Sequence, residues 1–168
     1  MIFMNEKITL ERVKSMRAAY FHALSEAPES DAWKKAEFWA KEKGLLSKDS
    51  DARIFGRNTY PTKDPEPHGY GYFITITPNI TINEDISVRI IPGGLYAGSR
   101  CEGVEQIGEI WANLWKWVDE SEYEFIGEIK GKFGYELGFE EHLNWYLTMI
   151  EKSEEKLIFN LMLQLWEK

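Results

Sequence analysis

One order of elements is written twice along this chain, and that order restricts the fold more than any single motif. In the first half, "MRAAYFHAL" (16–24) reads as a strand after a short extended lead-in. "APESDAWKKAEFWAKEKG" reads as a helix, with Ser30 as N-cap and Gly44 just past the end. Its Ala32, Trp33, Ala36, Trp39 and Ala40 share one face at helical spacing. "ARIFG" (52–56) reads as a short strand. "RNTYPTKDPEPHG", with three of the six prolines, reads as a loop. "YGYFITIT" (70–77) is the clearest strand in the chain.

The second half repeats this grammar. "SVRIIPGGLYAGSRCEG" reads as strand, turn, strand, broken at Pro92-Gly93-Gly94. "VEQIGEIWANLWKWVDES" is a helix with Ile107, Ile110, Trp111, Leu114 and Val118 on one face. "YEFIGE" (123–128) is a short strand and "KLIFNLMLQLW" (156–166) a terminal one. Residue identity between the halves is slight, so the shared order is topological. No linker or low-complexity segment separates them. The pattern predicts an α+β fold in one domain: an antiparallel sheet with two helices covering one face.

Composition excludes several kinds of protein. A net charge of -8 argues against a direct nucleic-acid binder, which needs a basic patch. The single cysteine, Cys101, rules out a disulfide within the chain and points to a reducing compartment. The start, "MIFMNEKITLERVK", has acids and bases where a signal peptide needs an apolar run. No apolar stretch approaches membrane-span length, so a cytoplasmic protein without a membrane partner is expected. The aromatic share is high, 14% with seven Trp, and implies large contact surfaces or a ligand cavity.

No recognised catalytic motif is present. His22, His68 and His142 lie far apart, without CxxC or HExxH spacing, so no metal is expected. "GEIKGKFG" lacks the spacing of a phosphate loop, and no GxSxG elbow occurs. No cofactor is implied. Cys101 has no base placed by sequence and reads as a small buried residue. Aromatic surface and carboxylates remain. Tyr70, Tyr72, Ile74 and Ile76 share a strand face that is either sheet core or a pocket wall. Trp111, Trp115 and Trp117 on the second helix either pack a sheet or wall a cavity.

"GFEEHLNWY" (138–146) is ambiguous by periodicity. As a strand it puts Glu140 and His142 on one face and Phe139 and Glu141 on the other. As a helix it makes an apolar stripe of Phe139, Leu143, Tyr146, Leu147 and Ile150 and leaves both glutamates in solvent. A carboxylate in an aromatic cavity would pair with a cation, or act as a proton donor or acceptor with a raised pKa.

In order, "MRAAYFHAL", "FWAKEKGL", "RIFGRNTYPTKDPEPHGYGYFITI", "VRIIPGGLYAGSRCEGVEQIGEIWANLWKWVDESEYEF" and "GFEEHLN" resemble the GyrI-like small-molecule-binding domain. That domain also serves as the effector-binding module of many AraC-type and MerR-type regulators. The resemblance runs from about Val13 to the last strand. It implies one domain over 1–168 built from two β-α-β-β units, about 8–80 and 86–168, related by a pseudo-twofold with a ligand groove between them. Phe139–Asn144 matches the family's glutamate motif, which favours a strand over Phe139–Leu143 with a helix from about Asn144.

The motif puts the key carboxylate at Glu140, with Glu141 one register away and His142 where tyrosine is common. Tyr20, Phe55, Tyr70, Tyr72, Tyr96, Trp111 and Trp115 become candidate walls. Close family members carry a glutamate directly after "YGY"; here that position is Phe73. With no helix-turn-helix and no basic arm, the chain reads as a stand-alone member binding cationic or planar aromatic compounds. The resemblance also admits a hydrolase of cyclopropane-bearing alkylating compounds, with Glu140 catalytic, and an interaction protein that covers a larger enzyme.

Overall fold

The computed structural model describes residues 8–59, 68–126 and 138–166. Its strands are β1 (Ile8–Val13), β2 (Met16–Ser25), β3 (Ile54–Thr59), β4 (His68–Thr75), β5 (Ser87–Ile91), β6 (Gly94–Glu102), β7 (Glu124–Phe125), β8 (Phe139–His142) and β9 (Ile158–Trp166). They form one curled antiparallel sheet in the order β1-β6-β9-β8-β3-β4-β2-β5, with β7 also on β9. The order is mirrored about its centre. In the first half β3-β4-β2 runs outward, and in the second β8-β9-β6 does the same. The outermost strands are exchanged, since β1 pairs with β6 and β5 with β2. The two halves meet at β3 and β8, where Gly56 lies opposite Glu140.

Two helices, α1 (Pro28–Glu42) and α2 (Ile107–Glu120), cover one face. Helix α1 buries Ala32, Ala36, Trp39 and Ala40 against Ala19, Phe21, Ile54 and Ile74. Small alanines let its axis approach the sheet, and Trp39 fills the space that remains. Helix α2 buries Leu114 and Val118 over Ala97, Leu161, Leu163 and Leu165. The opposite face has a third apolar cluster, with Ala18, Phe55, Phe73, Tyr96, Phe139 and Met162 at its centre. Alternating side chains therefore serve different cores, as the pleat requires.

Several local expectations change. Helix α1 starts at Pro28 with Ala27 as N-cap, three residues ahead of the expected Ser30. Proline suits the first helical position because its ring fixes φ and no N–H is lost there. Gly44, at φ +70°, takes the left-handed turn that ends the helix. The expected proline loop is strand at both ends, since Arg57–Thr59 belong to β3 and His68–Gly69 to β4. Its residues 60–67, like "GEIKGKF" at 127–133, lie outside the described residues, so neither reading is carried further. The lead-in before β2 is a paired strand, β1. The helix expected from about Asn144 is a single π-helical turn, Tyr146–Ile150.

Candidate functional site

The glutamate motif forms a strand because both its neighbours are strands. β8 is held between β3 and β9 by antiparallel pairing on both sides. Phe139, Glu140, Glu141 and His142 are all buried, so the helical alternative, with both glutamates in solvent, does not hold. Alternation sends Phe139 to the cluster opposite the helices and Glu140 and His142 to the helix face.

On the helix face, the hydroxyl of Tyr70 donates to Glu140 Oε1 at 2.6 Å. The indole Nε1 of Trp111 donates to Oε2 at 3.0 Å. Tyr70 reaches from β4, Trp111 from α2, and Glu140 stands on β8, so three separate elements converge on one carboxylate. Between β4 and β8 runs β3, and there Gly56 makes the crossing possible. A Cβ on Gly56 would collide with the Tyr70 hydroxyl and ring. Without one, the phenol lies across β3 and delivers its proton to the next strand.

Burial pushes the Glu140 carboxyl above its ordinary value. The hydrogen bonds from Tyr70 and Trp111 pull it down, and the charge of Glu29 pushes it further up. Among the described residues Glu140 has no basic partner. Burial also raises the Tyr70 phenol well above its ordinary value, with Glu140 adding to the effect. Tyr70 thus stays a neutral donor.

Aromatic rings surround the acid. Tyr70 and Tyr72 meet edge to face, with centroids 5.1 Å apart, and Trp33 of α1 meets Tyr72 at 5.3 Å. His142 lies 5.5 Å from Tyr72 and 4.8 Å from Phe159. Neither ring nitrogen of His142 has a hydrogen-bond partner among the described residues. Burial lowers its pKa to about 4, so the imidazole is neutral at ordinary pH. Tyr72 and Trp33 pack with the α1 core, Phe159 and Trp111 with the α2 core. Glu140 and His142 stand on β8 between these two cores.

Glu141 points the other way. Arg53 grips it with two hydrogen bonds, Nε to Oε2 and NH2 to Oε1, both at 2.8 Å. The carboxylate holds the guanidinium pKa up, and the pair is bidentate, the strong geometry for this contact. The two neighbouring acids are therefore electrostatically unlike: among the described residues, Glu141 has a cationic partner and Glu140 has none.

Of the residues read from the sequence, the structure brings Tyr70, Tyr72, Trp111 and His142 to Glu140. Tyr20, Phe55 and Tyr96 belong to the opposite face. Tyr20 packs at 4.6 Å on Phe73, and Phe55 and Tyr96 pack on Phe139 at 5.8 and 6.4 Å. Phe73 lies there too, so the missing acid after "YGY" subtracts nothing from the surroundings of Glu140. Guanidinium groups roof that face: Arg57 sits 3.8 Å over Phe139 and Arg89 4.0 Å over Tyr20. Trp115 lies one turn along α2 and packs edge-on to Phe125 at 4.8 Å, while Trp117 stacks on Tyr123.

Sequence reasoning missed Trp33, Gly56 and Arg53. Gly56 interrupts a strand with a residue that weakens strands, which was the available signal. A recess of about 440 Å³ beside Arg53, lined also by Met16, Asp51 and Thr75, does not include Glu140. Cys101 is buried, with its sulfur 3.3 Å from the Gly103 carbonyl. Among the described residues no group of His, Cys, Asp and Glu could hold a metal. None of the described helices is long and apolar enough to cross a membrane.

The model of the GyrI-like small-molecule-binding domain matches residues 6–131. No curated protein matches the sequence. Among solved structures, the EcmrR C-terminal domain superposes with a TM-score of 0.63 at 11% identity, over 96% of this chain and 98% of that one. EcmrR bound to DNA in a transcription complex gives 0.67 at 12% identity, over 96% of this chain but only 57% of that one. A protein described as a hydrolase from Listeria innocua gives 0.65 at 11% identity, over 95% and 92%. SAV2435 bound to tetraphenylphosphonium gives 0.51 at 13% identity, over 95% and 93%. At these identities the likeness is one of fold.

Proposed function

The chain belongs to the GyrI-like small-molecule-binding domain family, and from that premise we propose that it binds cationic, aromatic, amphipathic compounds in the cleft between α1 and α2, with Glu140 as the anionic anchor. The observation that carries this reading is the contrast between two adjacent buried acids. Glu141 has Arg53 as its counter-ion, whereas among the described residues Glu140 has only the neutral donors Tyr70 and Trp111. A buried carboxylate without a counter-ion either takes up a proton or takes up a cation. Ring faces of Tyr70, Tyr72, Trp33 and Trp111 supply cation–π contacts, each worth about 2 kcal/mol at best when desolvated. SAV2435, of similar fold, is seen with a lipophilic cation, which agrees with this reading.

A panel of cationic dyes tests the proposal by fluorescence titration. Binding in the micromolar range that neutral analogues of the dyes lack supports it, and no binding across the panel rejects it.

A second reading takes the same acid as a proton-transfer group. Burial raises the Glu140 pKa toward the range useful for general acid or base work, and the hydrolase from Listeria innocua shares the fold. In this reading the cleft hydrolyses cyclopropane-bearing alkylating compounds. Loss of such a substrate in the presence of wild type but not of Glu140→Gln supports it, and equal rates for the two dismiss it.

A further inference from the structure

The helix face of β8 has a second polar group that the pairing of Glu140 with a cation leaves unused. His142 stands two residues along β8 from Glu140, on the same face, so the two side chains are about 7 Å apart along the strand. It is only 6% exposed, and both its ring nitrogens lack a hydrogen-bond partner among the described residues. Its neighbours across the strands are Ile54 and Phe159, and its ring also meets Tyr72. None of these contacts satisfies an imidazole. An unpaired buried polar group costs about 1–3 kcal/mol, and phenylalanine in this aromatic setting would avoid that cost. The position thus has a donor and an acceptor that no described residue uses.

We propose that His142 is a specificity residue that hydrogen-bonds a polar group on the ligand, one strand repeat from the positive centre held by Glu140. The inference rests on reading the cleft as a cation site and narrows the ligand class. The preferred ligand is an aromatic cation bearing a hydroxyl, ether oxygen or ring nitrogen about 7 Å from its charge. A purely apolar cation fits the site but leaves His142 unpaired. Because the imidazole is neutral, it can donate from one nitrogen or accept at the other, and it adds no repulsion against a cation.

Two phosphonium ions that differ by one hydroxyl make the test: tetraphenylphosphonium and (4-hydroxyphenyl)triphenylphosphonium. Calorimetry on the wild-type protein is expected to show the hydroxylated ion binding about three- to tenfold tighter, the yield of one net hydrogen bond. In His142→Phe and in His142→Leu that preference disappears, the two ions binding each variant with affinities within about twofold of one another. In the wild-type protein, the imidazole nitrogen resonances of His142 shift with the hydroxylated ion and not with its parent. Tetraphenylphosphonium binding without any hydroxyl preference overturns the inference alone, as does a preference that survives in both variants or His142 resonances that stay still. If neither ion binds, the cation reading fails and the inference falls with it.

Discussion

The Tyr70 hydroxyl occupies the space that a Cβ on Gly56 would take. This relationship joins the two halves of the chain at the site, because Gly56 lies opposite Glu140 on the strand pair where they meet. Gly56→Ala should therefore do more than weaken a strand. It should force the phenol off β3 and break the 2.6 Å bond to Glu140. Overpacking of this kind costs about 1–3 kcal/mol. The expected outcome is a lower denaturation midpoint together with at least tenfold weaker cation binding. A variant that keeps full affinity would show that Tyr70 does not organise the acid.

Removing one donor from the carboxylate has a signed consequence. Tyr70→Phe and Trp111→Phe each delete a hydrogen bond that favours the charged form of Glu140. In both variants the Glu140 pKa should rise further, as read by carbon-13 titration of the labelled side chain. Stability above that pKa should fall by about 1–3 kcal/mol for the donor lost to a charged group. A fall in the pKa would contradict this account of the site.

The pH dependence has two opposing parts. Glu140 has a folded pKa above its unfolded value, so the native state holds the proton more tightly. Its contribution favours folding at acid pH and is lost as pH rises from the unfolded value through the folded one. His142 is the reverse, lowered from 6.5 to about 4. Its neutral form contributes stability above pH 6.5 that is lost as pH falls toward 4. Among the described residues, Glu29, Tyr70 and Tyr72 are other titratable groups acting on Glu140. Glu140→Gln should abolish the decline on the alkaline side, and His142→Phe the decline on the acid side, in urea midpoints measured across pH 4–8. A permanent cation should bind more tightly as pH rises through the Glu140 pKa, with proton release visible in buffers of different ionisation enthalpy. Binding that weakens over that range would count against Glu140 as the anchor.

Much of this site was readable from residue order, and the rest depended on pairing across strands. The alternation in "YGYFITIT" puts Tyr70 and Tyr72 together whatever the partners are, and the helical stripe puts Trp111 on the sheet side of α2. The strand state of Phe139–His142 was not legible from its own nine-residue stretch, because apolar spacing fitted a helix as well. β3 and β9 decide it, and they lie more than 80 and about 20 residues away. Tyr20, Phe55 and Tyr96 show the converse. They are aromatic and buried as expected, but which face a strand residue takes depends on register, and here register sends them to the other cluster. Trp33 could not be distinguished from the rest of the α1 stripe until Tyr72 was placed against it. Asp or Glu beside aromatics does not reveal which acid has a counter-ion; that needed Arg53, 88 residues from Glu141 in the chain.

The central claim is that Glu140, the acid without a cationic partner among the described residues, holds the ligand, and that its neighbour Glu141 does not. Calorimetric titration of tetraphenylphosphonium into wild type, Glu140→Gln and Glu141→Gln tests this most directly, with far-ultraviolet circular dichroism as the folding control. The account predicts micromolar binding to wild type, at least a tenfold loss in Glu140→Gln, and affinity within about twofold of wild type in Glu141→Gln, whose cost should appear in stability through the orphaned Arg53. Binding that is unchanged in Glu140→Gln, or lost only in Glu141→Gln, would contradict it.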